Sequence, residues 1–89
     1  MVTGDGGEEI KVTGWHLLTG IPRQVTTPGI SGDVHGWAGP WPVVERWWDA
    51  GSARRAARLQ VVVRNEEAVH TAMLLLREGG RWLVEGIYD

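Results

Sequence analysis

The sequence predicts a mainly β fold: a small antiparallel sheet or barrel of five to six short strands, with one short helix. Three observations predict it. β-Branched residues gather in short runs, above all in residues 55–64 (RAARLQVVVR), where three consecutive valines favour strand over helix. Thirteen glycines and four prolines punctuate the chain at short intervals, as turns do in all-β domains. Residues 55–89 resolve into three apolar runs separated by turn sequences, the pattern of an antiparallel meander. With 89 residues the chain has room for one compact domain and excludes a multi-domain enzyme.

Taken in order, residues 1–9 are rich in Gly, Asp and Glu and read as a flexible lead-in, leaving residues 10–89 as the single β-rich domain. Residues 10–13 (IKVT) alternate like a short strand, and an unpaired edge there would be a candidate for self-association. Residues 14–22 (GWHLLTGIP) read as a loop carrying Trp15, Leu17 and Leu18 inward. Residues 23–27 (RQVTT) form a β-prone piece closed by Pro28-Gly29, with a turn over residues 29–32. Residues 33–38 (DVHGWA) are a third strand, weakened by Gly36.

Gly39-Pro40-Trp41-Pro42 then reads as a break. Pro42 suits the first turn of a helix, and Val43, Val44, Trp47 and Trp48 recur at helical spacing, so the short helix is placed over residues 42–49 and stopped by Gly51. Residues 50–59 (AGSARRAARL) also contain strong helix formers and could carry a helix into a shorter strand from Gln60. In the strand reading, Ala57, Leu59, Val61 and Val63 share one face, with Arg58, Gln60, Val62 and Arg64 on the other. Asn65-Glu66-Glu67 is a turn. Residues 69–77 (VHTAMLLLR) are apolar on both faces, as in a central strand. Gly79-Gly80 supplies the positive φ of a tight hairpin. Residues 81–88 (RWLVEGIY) close the meander, with Trp82, Val84 and Tyr88 expected on one side.

Composition narrows the function. There are no cysteines, so disulfides, thiol nucleophiles and thiolate metal sites are excluded. No apolar run reaches the length of a membrane span, and the first residues have neither a basic nor an apolar signal region, so a cytoplasmic location is expected. The net charge of −2 argues against a dominant nucleic-acid binder. The histidines at 16, 35 and 70 are not at ligand spacing, and neither Ser31 nor Ser52 sits in a nucleophile motif, so no metal, no cofactor and no enzymatic activity are expected.

Two features remain. The chain has six tryptophans, one tyrosine and no phenylalanine, and Trp37, Trp41, Trp47 and Trp48 fall close together. These rings either pack the seam between helix and sheet or leave one or two exposed as partner anchors, since Trp is enriched at interface hot spots. Arg54, Arg55 and Arg58 follow directly. They either solvate an outer face or contact an acidic protein or nucleic-acid phosphates. The candidate partner-binding residues are therefore Trp37, Trp41, Trp47, Trp48, Arg54, Arg55 and Arg58.

The block GWAGPWPVVERWWD at residues 36–49, then RRAARLQVV at 54–62, then GRWLVEGIYD at 80–89, resembles the extreme C-terminal region of ImuB proteins and related small bacterial domains of unknown function. ImuB proteins are catalytically inactive relatives of Y-family DNA polymerases in the bacterial mutasome. The resemblance covers roughly residues 10–89, nearly all of the chain, and by it Tyr88-Asp89 is the natural end of such a protein. It implies a non-catalytic protein-interaction domain of an adaptor in damage-induced, error-prone translesion DNA synthesis. The implied partners are an error-prone C-family DNA polymerase and an ImuA-type RecA-like accessory protein, with a nucleoid-associated cytoplasmic location and DNA reached through the parent protein. Gln24 and Gln60 are not followed by a clamp-binding pattern. A weak single-stranded DNA-binding module, using stacked Trp and Arg contacts, is the alternative.

Overall fold

A computed structural model describes residues 1–13, 15, 17–43 and 56–88. They form one antiparallel sheet in chain order: β1 (Val2–Thr3), β2 (Gln24–Thr27), β3 (Ile30–Val43), β4 (Ala56–Arg64), β5 (His70–Glu78) and β6 (Arg81–Tyr88). Among the described residues there is no helix. The sheet is not closed into a barrel: its two edges are β1 and β6, and no ladder joins them.

The sheet nevertheless curls. In a flat sheet β1 and β6 would lie roughly 24 Å apart, at about 4.8 Å per strand spacing. Yet Val2 of β1 and Trp82 of β6 belong to one core, with Ile10, Val25, Leu59, Val61, Val63, Met73 and Leu75. The two ends of the sheet face each other across an apolar cavity of about 230 Å³, lined by Val2, Val25, Leu75, Trp82 and Val84 among others. The core is filled by alternation. Ala57, Leu59, Val61 and Val63 of β4 are all buried, and Val61 and Leu59 stand directly opposite Met73 and Leu75 of β5. Each fully buried Val or Leu contributes roughly 1.5–3 kcal/mol.

The turns follow their residue chemistry. Gly79 and Gly80, at φ 60° and 78°, give the hairpin its two positive-φ positions. The Asn65 side chain accepts hydrogen bonds from the Glu67 and Val69 amides and shapes the β4–β5 turn. The Pro28-Gly29 turn is shorter than expected, because Ile30 to Gly32 already pair with β2.

Several expectations are corrected. Residues 1–9, read as a lead-in, are tied into the fold: Val2 pairs with Val25 and is fully buried, and Glu9 bonds Arg77 at 3.0 Å. The acidic, Gly-rich composition hid one apolar residue at a pairing position. Residues 10–13 form no strand ladder; the Ile10 amide donates to the Val2 carbonyl and Val12 makes a single bridge to Leu18. Glu9 and Ile10 lie along the side of β1 away from β2, through the Thr3–Glu9 bridge and the Ile10 amide. Trp15 and Leu17 point outward, 87% and 62% exposed, because Thr13 Oγ1 accepts from both their amides and tightens the loop, leaving Leu18 to pack inward.

Gly39–Pro42 does not break the chain. β3 runs through it, absorbing Gly39 and Pro40 as an irregularity between Ala38 and Trp41. Pro42 and Val43, expected to open the helix, end β3 opposite Ala57 and Ala56, and residues 44–49 lie outside the described residues. The alternative helix over residues 50–59 is replaced at Ala56 to Leu59 by β4, and its earlier part also lies outside them. In β6, Val84 pairs with Leu75 and Gly86 with Leu74, so Glu85 is an extra residue. That bulge leaves Trp82 and Val84 on the core side and turns Tyr88 to the opposite face, beside Ala72.

Candidate functional site

The face of the sheet turned away from the core carries the candidate surface. Residues directly opposite each other on neighbouring strands project to the same side. Trp41 is opposite Arg58, Arg58 is opposite Leu76, and Leu76 is opposite Leu83. A row from β3 to β6 therefore reads Trp41, Arg58, Leu76, Leu83. Trp41 is 46% exposed and Leu83 is 37% exposed. Glu85, released from the ladder by its bulge, takes the Arg58 guanidinium Nε at 3.2 and 3.0 Å through its two carboxylate oxygens. This half-exposed ion pair is worth at most about 1 kcal/mol to the fold. It holds the Arg58 guanidinium towards β6, on the far side of β4 from Trp41.

Trp41 owes its position to Gly39. The backbone there has φ 101°, a conformation L side chains rarely adopt. A Cβ on Gly39 would stand 3.0 Å from the Arg58 carbonyl and 3.1 Å from the Trp41 ring. The indole thus folds back over a residue that has no side chain.

The same irregularity separates the two described tryptophans of the candidate set. Trp37 is opposite Val61, on the core side, whereas Trp41 is opposite Arg58, on the other. Four residues apart on a regular strand, they would share a face; the extra residue flips the second. Trp37 is 45% exposed at the margin of the core face. Of the sequence-derived set, the structure brings together Trp41 and Arg58 and parts Trp37 from them. Trp47, Trp48, Arg54 and Arg55 lie outside the described residues.

Two further arginines also face carboxylates. Arg77 bonds Glu9 and lies 5.4 Å from the Trp82 ring centroid, and Arg23 faces Asp5 at 3.6 Å. Trp82 itself is structural: its indole N–H donates to the Ile10 carbonyl at 2.8 Å, inside the core. A polar cleft of about 690 Å³ lies at the β4–β5 turn, where Asp33, Glu66 and Glu67 mix with Arg64.

Sequence spacing missed one juxtaposition. His35 and His70, far apart in the sequence, have ring centroids 4.8 Å apart at an interplanar angle of 63°. Only the pairing of β3 and β5 on either side of β4 reveals it. Among the described residues no group of three or more His, Cys, Asp or Glu side chains gathers, and no helix is long and apolar enough to cross a membrane. No known protein family, curated protein or solved structure matches the chain.

Proposed function

We propose that this chain is a non-catalytic protein-docking domain whose contact surface centres on Trp41 and Arg58. The observation that carries this reading is the half-exposed indole of Trp41 beside an Arg58 that Glu85 holds in place, on a sheet face continued by Leu76 and Leu83. Trp and Arg are the residues most enriched at interface hot spots. An indole already packed over Gly39 loses little rotamer freedom on binding, so more of its contact energy is retained as affinity.

The biological setting proposed for it is that of an ImuB-like adaptor in damage-induced translesion synthesis. The partners are then an error-prone C-family polymerase or an ImuA-type accessory protein, and the location is the nucleoid. This setting rests on the motif resemblance alone. The runner-up, single-stranded DNA binding, is disfavoured by the pairing of Arg58, Arg77 and Arg23 with carboxylates and by the acidic net charge.

The test is calorimetric titration with each protein and with single-stranded DNA at low and high salt. A Trp-anchored protein contact weakens little with salt, whereas phosphate contacts weaken steeply. Heat with DNA alone, lost at high salt, would replace the docking reading with the nucleic-acid one.

A further inference from the structure

We propose that His35 and His70 form a two-histidine binding site for a borderline divalent transition-metal ion of the zinc class. Nitrogen ligands bind Zn²⁺ at about 2.0–2.1 Å, which puts each imidazole centroid about 3.2 Å from the ion. At ligand–metal–ligand angles of about 90–109°, two such rings have centroids about 4.5–5.2 Å apart. The observed 4.8 Å falls inside this range. The two rings meet edge to face, with 63° between their planes.

The fold supplies the placement. His35 is the unpaired residue of a second irregularity in β3, between the Val34–Val63 and Gly36–Val62 pairs. Such bulges re-aim side chains and are over-represented next to functional sites. His70 opens β5 opposite Arg64 of β4. Both histidines are exposed, and the β4 positions between their strands are Val62, opposite both Gly36 and Ala72, and Arg64, opposite His70. The charged groups facing the pair are Arg64, between them on β4, and Asp33, opposite Arg64 on β3. Arg64 opposes a bound cation and Asp33 favours it. Two protein ligands leave coordination positions for water or for a donor from a bound partner. The site lies six residues along β4 from Arg58, about 20 Å at the usual strand rise, so it is separate from the docking surface.

The test is titration of the whole chain with Zn²⁺ alone, followed by calorimetry and by histidine ring NMR. The proposal expects one equivalent to bind, with the His35 and His70 resonances shifting together. His35→Ala and His70→Ala should each weaken binding at least about tenfold, and His16→Ala should not. Both variants remove exposed side chains, so circular dichroism should be unchanged. No binding, or binding that survives in the His35→Ala/His70→Ala double variant, would overturn the proposal and leave the pair as an aromatic contact.

Discussion

At the scale of single residues, the fold depends on places where a side chain is missing or must reach one partner. Gly32 on β3 is such a place. A Cβ there would meet the Arg64 backbone and stand 2.8 Å from Val63 Cγ1, and backbone cannot step aside. Gly32→Ala should cost about 1–3 kcal/mol, as overpacking does. Gly36→Ala, where a Cβ meets nothing within 4 Å, should change stability by no more than about 0.5 kcal/mol. Urea midpoints of the two variants decide this. Trp82→Phe keeps most of the ring but leaves the Ile10 carbonyl unpaired in the core, and should cost about 1–3 kcal/mol. At roughly 4–8 °C per kcal/mol for a chain of this size, melting curves would register it. Neither Gly32 nor Trp82 is distinguishable by sequence from its neighbours. The strain at Gly32 comes from β4, thirty residues away in the chain, and the Trp82 partner comes from the N-terminal segment.

At the scale of elements, the last three strands were legible because all the information they need is local. Alternation sets the faces of β4, Gly79-Gly80 sets the hairpin, and Asn65 sets the turn. β3 was misread because its glycines and prolines punctuate on one scale and pair on another. Gly39 and Pro40 suggest a stop, yet both are accommodated as an irregularity inside one 14-residue strand. β1 was missed because a two-residue strand has no periodicity to detect. It carries a consequence opposite to the lead-in reading. Deleting residues 1–9 removes Val2 from the core, about 1.5–3 kcal/mol on its own, and removes the Arg77 partner Glu9. The truncated chain should unfold at a clearly lower urea concentration. An unchanged midpoint would mean that β1 contributes nothing.

For the whole molecule, one curled sheet has an aliphatic core face and an opposite face that carries the proposed docking row. The core face takes the aliphatic alternation of β4 and β5, while the opposite face keeps Trp41, Arg58, Leu76 and Leu83 in a row across four strands. The tryptophan block was legible as a candidate from composition. Its division between two faces was not, because a single extra residue at Gly39-Pro40 decides which way Trp41 points. The measurement closest to the central claim is titration of the intact chain and of Trp41→Ala against the error-prone polymerase and the ImuA-type protein, at low and high salt. Binding to either one that changes little with salt, and is weakened at least about tenfold in Trp41→Ala with the fold intact, is the result predicted for a hot-spot anchor. Equal binding by wild type and Trp41→Ala, or no heat with either protein, would contradict it.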